Sequence, residues 1–236
     1  MKGHVFYTTR KGYVSGAADL ADTVKGCFLG QAGDWCTTPA QSINYASCHD
    51  NMTLLDRITR STPGVSEEER IRMNNLSAAI YMTCTGHSIP ARQAKKCSAP
   101  RSMPSGGFVE NSYNSPDSVN SIKWDTLEDE AYQNVYNYYK GLIAFRKAHA
   151  ALRLTNAADV NANITSVEGL DENVLAFRIN GGVNGETSDG IFVIFNPNRA
   201  ETSVALPDGA WDVCVNADHA GTDALTHCCR FCFHGP

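Results

Sequence analysis

The chain has 236 residues, of which 42% are hydrophobic and 19% are charged, and its formal net charge is −5. This composition is typical of a folded globular protein, and the negative charge argues against a nucleic-acid partner because phosphate binding requires a basic surface. No apolar stretch approaches the roughly 18 residues that a membrane-spanning helix needs, so no membrane partner is expected. The N-terminus has no apolar core of signal-peptide length, which leaves the location open and slightly favours the cytoplasm.

The first part of the chain is predicted to contain loops, one short strand and two helices. Residues 1–41 are loop-like with a weak helical signal around 17–25, and the run INYAS at 43–47 predicts a short buried strand. Capping-box spacing between Ser66 and Glu69 predicts a helix over 66–84. A stronger helix is predicted over 126–149, because its first turn is acidic, its last turn is basic and its apolar residues recur at helical spacing.

After residue 153 the sequence pattern changes. Short runs rich in Val, Ile, Phe and Ala are separated by Gly-Gly, Asn-Pro-Asn and Pro-Asp-Gly turns. This pattern predicts an antiparallel β-sandwich from about 154 to 216. We therefore expect an α/β part over residues 1–153 and an all-β part over residues 154–236.

Two dense polar clusters are candidates for a functional site. In SINYASCHDNMTLLD, residues 42–56, His49 and Asp50 directly follow the predicted strand. Polar residues between a strand and the next helix are how a (β/α) barrel builds its active site, but Asp50 could equally cap the helix predicted at MTLLDRI. The second cluster, ENSYNSPD at 110–117, is either a binding loop or an ordinary Ser-Pro-Asp turn.

Several long segments resemble known enzymes. SINYASCHDNMTLLDRI resembles a conserved stretch of the α-amylase superfamily of glycoside hydrolases, and DWCTTPAQ and ENSYNSPDSVNSIKWDTL resemble type I pullulanases. GLIAFRKAHAALRLT resembles the last barrel helix of that family, and the β-rich tail resembles its C-terminal sandwich. The resemblance covers nearly the whole chain. It implies the C-terminal portion of a (β/α)8 catalytic barrel over 1–153, followed by an antiparallel β-sandwich over 154–236.

The resemblance also implies a function. The expected partner is an α-glucan, and the expected reaction is hydrolysis of α-1,6-glucosidic branch points in pullulan, starch or limit dextrins, with no cofactor. His49 and Asp50 would act in catalysis through hydrogen bonds to sugar hydroxyls that strengthen in the transition state. The substrate-binding residues would be Asn51, Tyr113, Asn114 and Asp117, with Tyr113 as a stacking face. The α-1,6 preference comes from the resemblance and not from residue spacing.

The two reacting carboxyl groups are not recognisable in this chain. A retaining glycosidase needs two carboxyls about 5 Å apart, and the resemblance places both upstream of the His-Asp stretch. The acidic residues there are Asp19, Asp22 and Asp34, and none lies in a matching sequence context. We therefore expect a fragment that lacks the nucleophile and the acid/base residue and is inactive by itself. A non-catalytic α-glucan-binding fragment is the alternative.

Two segments depart from the family pattern. Residues 85–107 have no strand or helix pattern and are predicted to be irregular, and the tail HCCRFCFHGP at 227–236 is equally unusual. A shift of reading frame would explain both segments. Codons for QAKKCSAPR at 93–101 can also encode Gly-Glu-Glu-Met-Leu-Arg-Thr-Lys, and codons for the tail can encode Ile-Ala-Ala-Val-Ser-Ala-Ser-Met-Val.

The tail also permits a zinc-binding hypothesis. Thiols and imidazoles are zinc ligands, and the tail contains His227, Cys228, Cys229, Cys232 and His234. However, adjacent cysteines followed by C-x-x-C are not a clean ligand spacing, and no ligand set for calcium is recognisable. Finally, if further barrel strands complete the α/β part, the face that meets them should carry exposed apolar residues here.

Overall fold

The fold was analysed in a computed structural model, which describes residues 7–30, 36–47, 52–88, 108–109 and 112–229. The helices are α1 (Ala21–Phe28), α2 (Leu54–Ser61), α3 (Glu67–Thr83), α4 (Asp117–Asn120), α5 (Glu130–Ala148) and α6 (Ala157–Asn163). The strands are β1 (Ile43–Asn44), β2 (His87–Ser88), β3 (Ile164–Ser166), β4 (Leu175–Asn180), β5 (Gly190–Phe195), β6 (Ala210–Val213) and β7 (Thr226–Cys229). Within these ranges no helix has the length and apolar character that a membrane crossing requires.

Both long helices predicted from the sequence are confirmed, and side-chain caps set where they begin. The backbone N–H of Glu69 donates to the Ser66 hydroxyl over 3.2 Å, so α3 begins directly after Ser66. α5 begins later than predicted because Asp129 is its cap, accepting from the Ala131 N–H over 2.9 Å. The residues before it, Trp124–Glu128, form a 3-10 turn instead.

A large hydrophobic core extends through both parts of the described chain, and a second, smaller cluster of Val174, Ala176 and Val204 lies in the β-rich part. α3 and α5 pack together through buried side chains that include Tyr81 and Tyr139. The same core continues into the sheet, where the ring of Phe28 stacks on Phe177 with centroids 4.0 Å apart and meets Phe195 edge-on at 5.8 Å. Residues on both sides of position 153 therefore share one apolar interior.

The short strand β1 pairs in parallel with β2. Ile43 is opposite His87, and the His87 N–H donates to the Ser42 carbonyl over 2.9 Å. The prediction that residues 85–107 are irregular is therefore wrong at 87–88. A two-residue strand carries no local sequence pattern, and its pairing depends on a segment more than 40 residues away.

A buried arginine fixes the connection that leads into β2. Arg146 on α5 is only 9% exposed, and its guanidinium donates to the carbonyls of Met82, Cys84 and Gly86 over 2.8, 2.9 and 2.6 Å. Burial lowers the pKa of Arg146 to about 10, so the side chain is still charged at neutral pH. The three carbonyls satisfy the buried cation and hold the end of α3 against α5.

The antiparallel strands predicted after residue 153 are confirmed, with two corrections. β3, β4 and β5 form one antiparallel sheet and β6 and β7 another, and the sheets meet where Phe192 lies edge-on to Trp211 at 5.9 Å. The prediction missed α6, which the Asn156 side chain caps by accepting from the Asp159 N–H over 2.8 Å. It also ended too early, because β7 lies beyond residue 216.

The loop at 214–221 joins the β-rich part to the long helices. The Tyr138 hydroxyl on α5 donates to the Asn216 carbonyl over 3.0 Å. One turn further along α5, a Cβ added at Gly141 would lie only 1.8 Å from the Ala220 carbonyl oxygen. Only glycine therefore permits this close approach of loop and helix.

A buried carboxylate makes a second connection between the two parts. Glu186 is 6% exposed, and it accepts hydrogen bonds from the N–H of Ala151 over 3.1 Å and from the N–H and hydroxyl of Ser188 over 3.1 and 2.9 Å. His149, at the end of α5, places Nδ1 3.1 Å from the same carboxylate. The carboxylate thus ties the residues after α5 to the segment before β5.

Candidate active site

The carboxyl ends of β1 and β2 lie at the same edge of the sheet because the two strands are parallel. The described chain continues from β1 to Ser47 and resumes at Met52, and both residues are buried. The predicted catalytic residues His49 and Asp50, and the predicted binding residue Asn51, lie between them and outside the described residues. Ser47 and Met52 are therefore the described residues nearest to this predicted site on either side.

The end of β1 is anchored by a residue that the sequence analysis did not select. Asn44 is 9% exposed, and its side-chain Nδ2 donates to the Thr85 carbonyl over 2.5 Å. Thr85 in turn donates from its hydroxyl to the Phe28 carbonyl over 3.0 Å. These bonds hold β1 to the segment before β2 and to α1, so the chain leaves β1 from a fixed position. The sequence signal that could have identified Asn44 is the presence of an asparagine within the mostly apolar run INYAS.

The helix after the His-Asp pair has its own cap. Thr53 is 1% exposed and is the N-cap of α2, and its side chain accepts from the Asp56 N–H over 3.2 Å. The spacing Thr-Leu-Leu-Asp at 53–56 could have identified it. The alternative role considered for Asp50 was to cap this helix, and the structure shows that Thr53 is the residue that caps it.

The second polar cluster lies on the surface. Tyr113 is 86% exposed, and Asn114 and Asp117 are also exposed, whereas Ser112 at the start of the loop is buried. Asp117 opens α4 directly after Pro116. The three predicted binding residues in this loop are thus accessible to solvent, and their binding role stays a prediction.

The loop is held in shape by side chains that follow it. The Asn120 amide nitrogen donates to the carbonyls of Ser112 and Ser115 over 2.8 and 2.9 Å. Lys123 Nζ donates to the Asp117 carbonyl over 3.3 Å and to the Ser121 hydroxyl over 2.5 Å. An amide with two donors suits such a bridge, but sequence alone gave no means of locating its two acceptors. These hydrogen bonds therefore fix the backbone that carries the exposed side chains of Tyr113, Asn114 and Asp117.

The described part of the tail does not gather zinc ligands. On β7, His227 is opposite Asp212 and Cys228 is opposite Trp211, so the two neighbouring side chains point to opposite faces of the sheet. His227 Nδ1 lies 2.6 Å from Asp212 Oδ1. No three His, Cys, Asp or Glu side chains within the described ranges are arranged to hold a metal ion, and Cys232 and His234 lie beyond those ranges.

In the described residues, a parallel strand pair packed on helices is followed by two antiparallel sheets, which is an α/β part joined to a β-rich part. Comparison with known proteins is more specific. Residues 160–219 match the family described as "Pullulanase, all-beta domain". The chain is 31% identical to the pullulanase of Bacillus subtilis over 185 residues, which are 76% of this chain and 24% of that protein.

Solved structures give the same result. The pullulanase from Bacillus acidopullulyticus matches with a TM-score of 0.88 and 31% identity, over 100% of this chain and 28% of that one. A pullulanase from Paenibacillus barengoltzii in complex with maltohexaose and alpha-cyclodextrin matches with a TM-score of 0.79 and 31% identity, over 99% of this chain and 37% of that one. The chain is a pullulanase-type sequence that spans about a quarter of the length of the curated relative it matches.

Proposed function

We propose that this chain is the part of a pullulanase-type glycoside hydrolase that grips α-glucan beside the scissile bond. Residues 1–153 would form the C-terminal part of a (β/α)8 barrel, and residues 154–236 a C-terminal β-sandwich. The reaction would be hydrolysis of α-1,6-glucosidic branch points in pullulan, starch or limit dextrins. The reacting carboxyls would come from barrel strands that precede this segment in the relatives.

The observation that carries the proposal is that β1, the strand that precedes the His49–Asp50 pair in the sequence, pairs in parallel with β2. α2 and α3 lie between these strands along the chain, which is the β–helix–β arrangement from which barrels are built. Active sites of such barrels lie at the carboxyl ends of the strands, and β1 runs toward His49 and Asp50 in that sense. The similarity to glucan-bound pullulanase structures supports the same substrate class.

Each predicted residue has a distinct role in this proposal. His49 and Asp50 would donate to and accept from sugar hydroxyls, with bonds that tighten as the ring approaches an oxocarbenium ion. Asn51 would line the same cleft. In the surface loop, Tyr113 would stack on a sugar ring, while Asn114 and Asp117 would hydrogen-bond its hydroxyls. The two hydrogen bonds from the Asn120 side chain to the loop carbonyls support these roles, because a loop that is already rigid loses little conformational entropy when it binds a sugar.

The alternative function is non-catalytic binding. The recognition groups of the loop are present in the chain, whereas the two carboxyls that break the bond are not recognisable in it. A chain with these groups alone would hold α-glucan without cleaving it. The two functions share a binding site and differ only in turnover.

The test measures binding and cleavage separately on the full chain. Pullulan affinity is measured by isothermal titration calorimetry, and reducing-sugar release is measured on the same sample. We expect pullulan to bind, and Asp50→Asn or Asn114→Ala to weaken binding by about ten-fold, since each removes hydrogen bonds worth about 1.5 kcal/mol. Asp223→Asn, at an exposed position on the connection before β7, is the matched control and should bind like the parent.

The outcomes separate the hypotheses. Binding without sugar release supports the binding-only function for this chain, and binding with release supports an active hydrolase. Absence of pullulan binding in a folded sample contradicts both functions. Equal losses at Asp50 and Asp223 would remove the assignment of Asp50 to the site.

A further inference from the structure

Two cysteines that are far apart in the sequence lie on neighbouring segments of the chain. Cys27 is in the last turn of α1, and Cys84 directly follows α3. The residues after them are joined, because the N–H and the hydroxyl of Thr85 both donate to the Phe28 carbonyl, over 3.1 and 3.0 Å. Each cysteine is one residue from this contact, so their Cα atoms lie within roughly 10 Å of each other.

Both thiols are free, but their surroundings differ. Cys27 is exposed, whereas Cys84 is 2% exposed and belongs to the hydrophobic core. Burial raises the pKa of the Cys84 thiol and Cys27 raises this pKa further, whereas Arg146 lowers it. The effect of Cys27 is electrostatic and weakens with distance, which agrees with two sulfur atoms that are near each other. Because Cys27 is open to solvent and Cys84 is not, a reagent in solution reaches Cys27 first.

Hydrogen bonds hold the backbone at both cysteines. The Cys84 N–H donates to the Ile80 carbonyl over 3.0 Å, and the Cys84 carbonyl accepts from Arg146 over 2.9 Å. The Cys27 carbonyl accepts from the Gly30 N–H over 3.1 Å. A disulfide needs Cα atoms about 4.4–6.8 Å apart, which falls inside the limit that the contact between the following residues sets.

We propose that Cys27 is a modification site for low-molecular-weight disulfides such as oxidised glutathione, and that Cys84 is the thiol that resolves the adduct into a Cys27–Cys84 disulfide. In the first step, the Cys27 thiolate attacks one sulfur of oxidised glutathione, forms a mixed disulfide and releases one glutathione thiolate. In the second step, the Cys84 thiolate attacks the Cys27 sulfur and releases the second glutathione thiolate. Two protein thiols are thus oxidised to one disulfide, and their two protons go to the two glutathione thiolates.

The crosslink would lie beside the anchor of β1. Thr85, the residue after Cys84, accepts at its carbonyl from the Asn44 side chain over 2.5 Å. The new bond would close a loop that contains β1, α2 and α3, and a closed loop lowers the entropy of the unfolded chain. We therefore expect the oxidised chain to unfold at a temperature about 5 °C or more above that of the reduced chain.

The test treats the full 236-residue chain with oxidised glutathione and maps its disulfides by mass spectrometry without reduction. Digestion with trypsin and chymotrypsin cuts after Phe28 and so separates Cys27 from Cys36, whose thiol also lies nearby and donates to the Gly30 carbonyl over 3.0 Å. We expect a crosslinked pair of peptides that contains Cys27 and Cys84 and has lost two hydrogen atoms. The thermal unfolding midpoint of the same sample should rise by about 5 °C or more, and reduction with dithiothreitol should reverse the rise.

Three variants separate the roles of the cysteines. Cys27→Ser, at an exposed position, should abolish both the crosslink and the rise in midpoint. Cys84→Ser should instead accumulate the adduct of Cys27 with glutathione, because the resolving thiol is absent. Cys228→Ser is the matched control, since Cys228 is a partly exposed cysteine on β7 and its removal should leave the crosslink and the midpoint rise unchanged.

The possible results divide clearly. The crosslink in the parent, together with trapping of the adduct in Cys84→Ser, supports the proposal. A glutathione adduct at Cys27 that accumulates in the parent would overturn it, as would a bond between Cys27 and Cys36, or a folded parent in which Cys27 stays unmodified. These measurements involve no glucan, so their failure would leave the proposed function unaffected.

Discussion

The buried carboxylate of Glu186 offers a sharp test of what joins the two parts of this chain. We consider Glu186→Gln, which keeps the size of the side chain and removes its charge. In the parent, the carboxylate accepts from the N–H of Ala151 and from the N–H and hydroxyl of Ser188. In the variant, one of the two oxygens becomes an amide NH2 group, which is itself a donor and faces a donor. The variant therefore loses at least one buried hydrogen bond and gains a repulsive contact.

The pKa of Glu186 gives the size of the effect. Burial raises this pKa, but hydrogen bonds from the Ser188 and Ala151 backbone, from His149 and from the Ser188 hydroxyl outweigh burial and lower it from 4.5 to about 2. That difference corresponds to about 3 kcal/mol of folding free energy at neutral pH. Because the folded-state pKa is the lower one, the contribution is complete above pH 4.5 and is lost as the pH falls toward 2.

The assay is urea unfolding followed by tryptophan fluorescence, at pH 7 and at steps down to pH 3. We expect Glu186→Gln to lower the free energy of unfolding by about 2–3 kcal/mol at pH 7 and by progressively less at acidic pH. Glu168→Gln is the control, because Glu168 forms an exposed ion pair with Lys25 and should cost less than about 1 kcal/mol. A destabilisation by Glu186→Gln that is equally large at pH 7 and pH 3 would refute the reasoning, since it could not come from the ionised carboxylate.

Three further predictions follow from other contacts. Arg146→Met should lower stability by about 3 kcal/mol in urea unfolding, because three buried carbonyls lose their donor, whereas the exposed neighbour change Lys147→Met should alter it by less than about 0.5 kcal/mol. Gly141→Ala should cost about 2 kcal/mol or more in thermal unfolding, because its methyl group would overlap a loop carbonyl, while Lys140→Ala, one residue earlier on the same helix, should be nearly neutral. Peptide mass spectrometry of the protein from its natural source should find Gly-Glu-Glu-Met-Leu-Arg in place of residues 93–101, and an intact QAKKCSAPR sequence would disprove the frame shift.

The fold elements that the sequence predicted well are those whose signals are local. α3 and α5 carry caps, charged ends and apolar faces within their own residues, so their existence and approximate limits could be predicted. The strand β2 could not, because two residues show no periodicity and acquire their state from a partner distant in sequence. Arg146 illustrates the same limit. Its position suggested only a basic last turn, while its buried contacts involve carbonyls about 60 residues away.

The candidate site was predictable in part, for a related reason. Clusters of polar side chains without apolar neighbours are visible in sequence, and this pointed to the exposed loop with Tyr113 and Asn114. Of the residues that support the clusters, Thr53 could have been found from its capping spacing to Asp56, whereas Asn120 could not, because it acts through two backbone carbonyls. Support of this kind depends on which backbone groups face a side chain, and sequence does not specify that directly. The roles of His49 and Asp50 stay predictions.

The continuous core has a consequence for the boundary near residue 153. Phe28 lies in the first part of the chain, is fully buried and stacks on Phe177 of β4. Residues 154–236 expressed separately would expose this aromatic contact, so we expect them to show no cooperative thermal transition by near-ultraviolet circular dichroism. In the full chain, Phe28→Ala should cost about 3–5 kcal/mol and lower one common unfolding midpoint. Two separate transitions, or a cooperative transition in the isolated β-rich segment, would contradict this expectation. Either result would mean that the β-sheets have a core sufficient for folding and that the contact with Phe28 is not required for it.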